Sequence, residues 1–352
     1  MPKYNKVLFM SYAVPTFYPT HSGPVAPVGA APFVSLSNAD LQDRAQRFVN
    51  VLYWTREKFK DHSGMIDDKT LKIFMAPEFY FRNASADEVD SRRFNLMTYW
   101  GSYPAELRYE LAEAIYDAIH GQNEFKDWSI VAGTITSHLP GDGEYVLTGG
   151  LLNTTILMRG KRDKMDASAP YVLMEKHYIS NIDGPDKDWH ANLNPGTIFS
   201  YELNPDQSLD NLIRWDDMMS GLEVCLDHYK GVLLDALTLL WNVVDPSYPP
   251  LDLQLVTSCG MDLGASNVVV KNGALALLTD GMSSRNWPNT PLTQLGRFDR
   301  NNLASPLQFY PLPELAVLPE GSDFRVTYPD YEGEQGVYAY EAVDLLKTNC
   351  HG

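Results

Sequence analysis

The sequence predicts a layered α/β domain. Three observations carry that reading. Apolar runs of strand length recur along the chain, beginning with KVLFMSYA (6–13). Two longer segments between them repeat apolar residues at helical spacing. No Pro/Gly/Ser linker, block of like charge or internal repeat divides the 352 residues, and at 44% hydrophobic they can bury a sizeable core.

Lys6–Ala13 reads as a buried first strand, and residues 14–36, rich in Pro, Gly and Ala, as a long loop. Asn38–Lys60 is predicted helical from Leu41, Ala45, Phe48, Val49, Leu52 and Phe59. Leu71–Ala76 is the next strand, and residues 83–103 read as an irregular insertion. Ala105–His120 is helical, with Leu107, Leu111, Ile115 and Ile119 at four-residue steps. Trp128–Thr136, Leu151–Arg159 and Ala169–Glu175 read as successive strands, followed by a loop over 181–200. Leu222–Leu226 is a short strand that turns abruptly at Asp227, His228 and Gly231, with a helix over Gly231–Val244 ended by Pro246. Leu253–Ser258, Ser266–Val270 and Ala274–Thr279 read as strands, and the Pro- and Tyr-rich chain after 285 as an extended tail.

Composition excludes several classes of function. A net charge of −17 argues against nucleic acid and anionic membrane as partners, since both demand a basic face. No run approaches membrane-spanning length. The three cysteines, Cys225, Cys259 and Cys350, give neither a disulfide framework nor a Cys-x-x-Cys spacing. With no apolar leader at the N-terminus, a reducing cytoplasm is the expected location. The eight histidines include no His-Glu-x-x-His, GDGEYVLTGG (141–150) lacks the third glycine of a nucleotide loop, and no Gly-x-Ser-x-Gly is present. Neither a metal nor a cofactor is expected.

The candidate chemistry sits at three strand ends. LKIFMAPE (71–78) runs into Pro77, which cannot continue a central ladder, so Glu78 is delivered at the end of the strand. YVLMEK (171–176) ends in Lys176, and LEVC (222–225) ends in Cys225 beside a turn. A thiol becomes a strong nucleophile when a base and a cation stand near it, and sheets assemble sites from the ends of several strands. Each residue alone has a plainer reading: a buried small hydrophobe, a surface acid, a solvated charge.

In that order, PEFYF (77–81), EKHY (175–178) and GLEVCLDH (221–228) resemble the elements of the carbon–nitrogen hydrolase (nitrilase/amidase) superfamily. KVLFMSYAVP (6–15), NTTILMRG (153–160) and TSCGMDLGASN (257–267) are similar to its first strand, its Asn-x-x-x-x-x-x-Gly strand and its pocket segment. The chain departs from the family in the Glu175 and His177 that flank the lysine, and Asp227-His228 mixes amidase and nitrilase flavours. The resemblance implies a four-layer α-β-β-α sandwich over residues 1–285, with 286–352 an extension packing on the domain or on a partner subunit. It implies hydrolysis of a non-peptide carbon–nitrogen bond in a small amide through a cysteine thioester. Glu78 would act as base, Lys176 as the cation and Cys225 as nucleophile, with the Leu226 N–H at the oxyanion and Asp183 as an accessory. Pocket walls are expected from Tyr80, Trp189, His228 and Cys259. The expected partners are a small amide or nitrile and further copies of the chain, as a homodimer or larger homo-oligomer. Nitrile hydrolysis, amide-forming acyl transfer and a non-catalytic binding protein on the same fold are the alternatives.

Overall fold

A computed structural model describes residues 3–17, 23–83, 101–121, 123–138, 151–160, 170–178, 209–282, 293–327 and 333–346. Its frame is a pair of sheets. The first is built from β1 (Lys6–Ala13), β2 (Thr70–Met75), β3 (Tyr103–Pro104), β4 (Trp128–His138), β5 (Leu151–Arg159) and β6 (Tyr171–Glu175), joined by β13 (Leu315–Val317), β14 (Gly336–Ala339) and β15 (Val343–Asp344). The second runs through β7 (Leu212–Trp215), β8 (Met218–Val224), β9 (Leu251–Ser258), β10 (Val270–Asp280), β11 (Thr293–Phe298) and β12 (Leu307–Phe309). In each sheet the central pairings are parallel, β1 with β2 and β2 with β4 in the first, β8 with β9 and β9 with β10 in the second. The strands between them read as nearly unbroken apolar runs because both faces are covered.

Alternate residues of β1 go to different cores. Leu8, Met10 and Tyr12 pack with helix α1 (Ala39–Lys58), while Val7 and Phe9 pack against Leu222, Leu253, Leu255 and Leu277 of the second sheet. The outer face of the second sheet, with Val256, Ala276 and Leu278, is covered by Leu233 and Leu237. Asn38 starts α1, its side-chain oxygen accepting the Leu41 N–H at 3.0 Å. After the one-turn α2 (Ser63–Ile66), helix α3 (Leu107–His120) begins two residues later than its spacing predicts, and the Ala105 N–H just before it donates to the His138 carbonyl at the end of β4.

Four sequence readings are corrected. The segment after Cys225 is two helices, α4 (Leu226–Lys230) and α5 (Val232–Leu239), broken at Gly231 with φ 76°, and it widens to a π-turn over Leu240–Val244. Ser266–Val270 is not a strand. A 3₁₀ turn occupies Ala265–Asn267, and Val270–Asp280 is one strand with a register shift between Val270 and Leu275. Residues 212–224 form a hairpin instead of a lone terminal strand, with Asp216 and Asp217 both at positive φ in its two-residue turn. Finally, the described part of 286–352 contributes five strands, β11 and β12 to the second sheet and β13–β15 to the first. Those strands are two to six residues long, so their periodicity is too short to read.

Candidate active site

Glu78 is placed by a turn that crosses from one sheet to the other. Strand β2 stops at Met75; beyond it the Ala76 carbonyl accepts the Thr257 hydroxyl at 2.9 Å, and the Glu78 N–H reaches the Ser258 carbonyl at 3.3 Å. Thr16 Oγ1 donates to the Glu78 carbonyl at 2.6 Å, and Thr134 Oγ1 accepts the Phe79 N–H at 2.8 Å. Phe79 has φ 64°, a strained value for a bulky residue that these flanking bonds hold in place. Passage of the turn needs Gly133, where β4 bulges against β5: a Cβ there would stand 2.4 Å from the Pro77 carbonyl oxygen. Glu78 is therefore fully buried.

Lys176 follows the last residue of β6, its N–H donating to the Asn153 carbonyl at 2.8 Å. Its Nζ donates to Glu78 Oε1 at 2.8 Å, and Asn153 Nδ2 donates to the same oxygen at 2.9 Å. Neither side chain of the Glu78–Lys176 pair is exposed to solvent. Desolvating two charges costs about as much as their attraction returns, so such a pair is weak evidence for stability and directs attention to chemistry. The ammonium also lies 5.7 Å from the centre of the Phe79 ring, and the Arg82 guanidinium lies 3.5 Å from the same centre.

Cys225 ends β8 at φ 48°, ψ −107°, a conformation that throws the chain off the strand into α4. Its N–H donates to the Thr257 carbonyl at 2.9 Å. Thr257 and Ser258, consecutive on β9, thus anchor the backbones of Cys225 and Glu78. The Leu226 N–H opens the short helix, where intrahelical acceptors are absent. Two residues after Cys225, the buried Asp227 carboxylate accepts the His177 N–H at 3.0 Å and the Tyr178 N–H at 2.8 Å. Burial pushes this carboxyl well above the usual range, against the pull of the two N–H groups and of the Lys176 charge.

The remaining expected residues fall in several places. Tyr80 packs against Phe48 and Tyr12 in the core under α1, with ring centres 5.8 and 5.5 Å apart, and borders a water-sized cavity. His228 is buried with Nε2 accepting the Gly264 N–H at 3.0 Å, which leaves Nδ1 to donate to Glu223 at 2.7 Å. It also borders a surface depression of about 400 Å³ with Tyr229, Met261 and Asp262. Cys259 is buried with Phe79 and Met282; burial, and then the nearby Asp280, Glu78 and Cys225, push its thiol far above the ordinary range, as suits an inert filler. Asp183 and Trp189 lie outside the described residues. Sequence reasoning missed Asn153 as a donor to Glu78 and Asp227 as a tie to the lysine segment, although both sit inside the motifs quoted above. Among the described residues, no three His, Cys, Asp or Glu side chains gather as metal ligands, and no helix is long and apolar enough to cross a membrane.

No family model and no curated protein matches the chain. The solved structures it is similar to include amidases and carbon–nitrogen hydrolase superfamily proteins. One is a mutant of the amidase from Nesterenkonia sp. AN1 in complex with butyramide, at 12% identity and TM-score 0.41, covering 97% of this chain and 90% of that one. Another is the carbon–nitrogen hydrolase from Helicobacter pylori G27, at 10% identity and TM-score 0.37, covering 97% and 90%. A third is a CN-hydrolase superfamily protein from Xanthomonas campestris, at 11% identity and TM-score 0.40, covering 96% and 90%.

Proposed function

We propose that this chain hydrolyses a non-peptide carbon–nitrogen bond in a small amide through a thioester on Cys225. The observation that carries the proposal is the fully buried Glu78–Lys176 pair, at 2.8 Å, tied through adjacent β9 carbonyls to the turn that bears the cysteine. The chain spends a buried carboxylate, a buried ammonium and two strained backbone positions, Phe79 and Cys225, within one region. Strain and desolvation gathered in this way mark functional sites.

In the proposed sequence Glu78 takes the proton from the Cys225 thiol and the sulfur attacks the amide carbon. Lys176 and the Leu226 N–H stabilise the oxyanion, a contribution on the order of 3 kcal/mol for one preorganised donor. Glu78 returns its proton to the departing nitrogen, which leaves as ammonia or an amine and frees the thioester. Water then attacks with Glu78 as base, and collapse releases the acid and restores the thiol. Asp183 is retained as the accessory candidate. Three packed cores, one under α1 and α3, one between the sheets and one under α5, support the four-layer α-β-β-α arrangement.

The test is covalent. Purified protein is incubated with simple amides and nitriles, ammonia is assayed, and the intact mass is read during turnover. Cys225→Ala should keep the fold while losing turnover and the acyl adduct. Normal turnover by that variant ends the proposal.

A further inference from the structure

Glu175 and His177 are the two residues that make the lysine segment unlike its relatives in the resemblance, and both are braced. Glu175 accepts from Thr154 Oγ1 at 2.7 Å and pairs with Arg108 of α3. The His177 ring donates from Nε2 to Asn211 Oδ1 at 2.7 Å, and Asn211 Nδ2 donates to the Leu222 carbonyl at 2.7 Å. Leu222 lies on β8, three residues before Cys225. From the other side of the cysteine, Asp227 accepts the N–H groups of His177 and Tyr178. Two connections therefore join the segment after Lys176 to the strand and turn of Cys225, one by a ring and an amide, one by a carboxylate.

Those ties have a physical purpose. Beyond Glu175 the first sheet ends, so the N–H groups of His177 and Tyr178 lack ladder acceptors, and buried donors need partners. A lysine stem has four flexible carbons, and its charge stays in place only if the backbone that carries it is fixed. We infer that Asp227 and His177 are positioning residues, a clasp that holds the Lys176 ammonium in register with the Cys225 turn; this rests on the function proposed above. They act through the lysine.

The experiment reads the cysteine without substrate. Full-length protein is treated with iodoacetamide across a pH series, and peptide mass mapping separates alkylation at Cys225 from that at Cys259 and Cys350. Asp227→Ala and His177→Ala should alkylate at Cys225 at least tenfold more slowly at pH 7, with the pH midpoint moved upward, because the cation is no longer held. His177→Gln keeps an N–H donor for Asn211 and should return to within threefold of the parent rate. Asp227→Asn keeps one acceptor oxygen but loses the second, which also accepts the His177 N–H, and should fall between. Parent rates and midpoints in alanine variants that retain the parent circular dichroism overturn the clasp. If the alanine variants do not fold, Asp227→Asn decides: a parent profile overturns the clasp and an upward midpoint supports it. Amide turnover separates the two ideas. If alkylation shifts while Cys225→Ala still hydrolyses amides, the clasp stands and the proposed function falls. If alkylation is unchanged while Cys225→Ala is inactive, the clasp falls and the function stands.

Discussion

Replacing Lys176 with methionine removes the ammonium while keeping an unbranched stem of similar length, and so isolates the charge in the buried pair. Glu78 Oε1 would then keep Asn153 Nδ2 at 2.9 Å but lose the Lys176 ammonium, in a site with no solvent exposure on either side chain. Breaking such a pair from one side costs about 3–5 kcal/mol, because a carboxylate is left buried without its counter-charge. With an m-value of about 3 kcal/mol/M, the urea midpoint should fall by about 1–2 M. Glu78→Gln alone should also destabilise, since it leaves the ammonium. The double variant Glu78→Gln/Lys176→Met holds no buried charge at that contact and should recover at least half of the summed loss, a coupling of roughly 2 kcal/mol or more. All three variants should be inactive, so stability and turnover would part company. Midpoints measured for the parent, both single variants and the double variant close the cycle. Single effects that simply add, or a Lys176→Met midpoint within about 0.3 M of the parent, would refute the reasoning that these two charges are desolvated together.

Three further outcomes follow from the same geometry. Gly133→Ala puts a Cβ 2.4 Å from the Pro77 carbonyl at φ 78°, so it should destabilise by about 2 kcal/mol or more and sharply reduce turnover by shifting Glu78; an unchanged urea midpoint would show that the turn has room. Asp217→Gly relieves a positive φ of 57° in an exposed hairpin turn and should stabilise by up to about 1 kcal/mol without altering activity, read from the same midpoints. Burial holds His177 below the ordinary histidine value of 6.5, so the unfolded chain binds that proton first, and its contribution is intact above about 6.5 and lost as pH falls towards the depressed folded value. Glu175, Asp227 and Asp280, raised by burial, act with the opposite sign, so the measurement is a difference: the midpoint should fall less steeply from pH 7 to 5 in His177→Gln than in the parent, and equal slopes would count against it.

The legible parts of this fold are the ones with long, strong patterns. Lys6–Ala13 and Leu151–Arg159 begin and end where their apolar runs do. Helix α1 places Leu41, Ala45, Phe48, Val49 and Leu52 in the core, as their spacing requires. The last segment of the chain was illegible for a converse reason. Strands such as Val343–Asp344 and Leu315–Val317 exist only because β1 and β14 offer them partners, and two or three residues hold no period. Ser266–Val270 misled because Val268, Val269 and Val270 are apolar in any conformation; the Asn267 N–H, bonded to the Gly264 carbonyl, makes that stretch start as a turn. At the proposed site, the motifs name Glu78, Lys176 and Cys225 as candidates but not their supports. Asn153 reads as one polar residue in a strand, and Asp227 as part of a cysteine motif, until a carboxylate and two N–H groups from distant segments are seen beside them.

By itself the sequence determined the long elements such as β1, β5 and α1, which of their residues face a core, and which three side chains end apolar runs with chemistry to offer. Those follow from local rules: the period of an apolar run, the stop imposed by Pro77, the turn after Cys225. Only the tertiary structure decided that Glu78 is buried against Lys176, and that Asp227 and His177 tie the lysine segment to the cysteine strand. Contacts between residues 98 positions apart depend on how two sheets pack, and no local pattern encodes that distance.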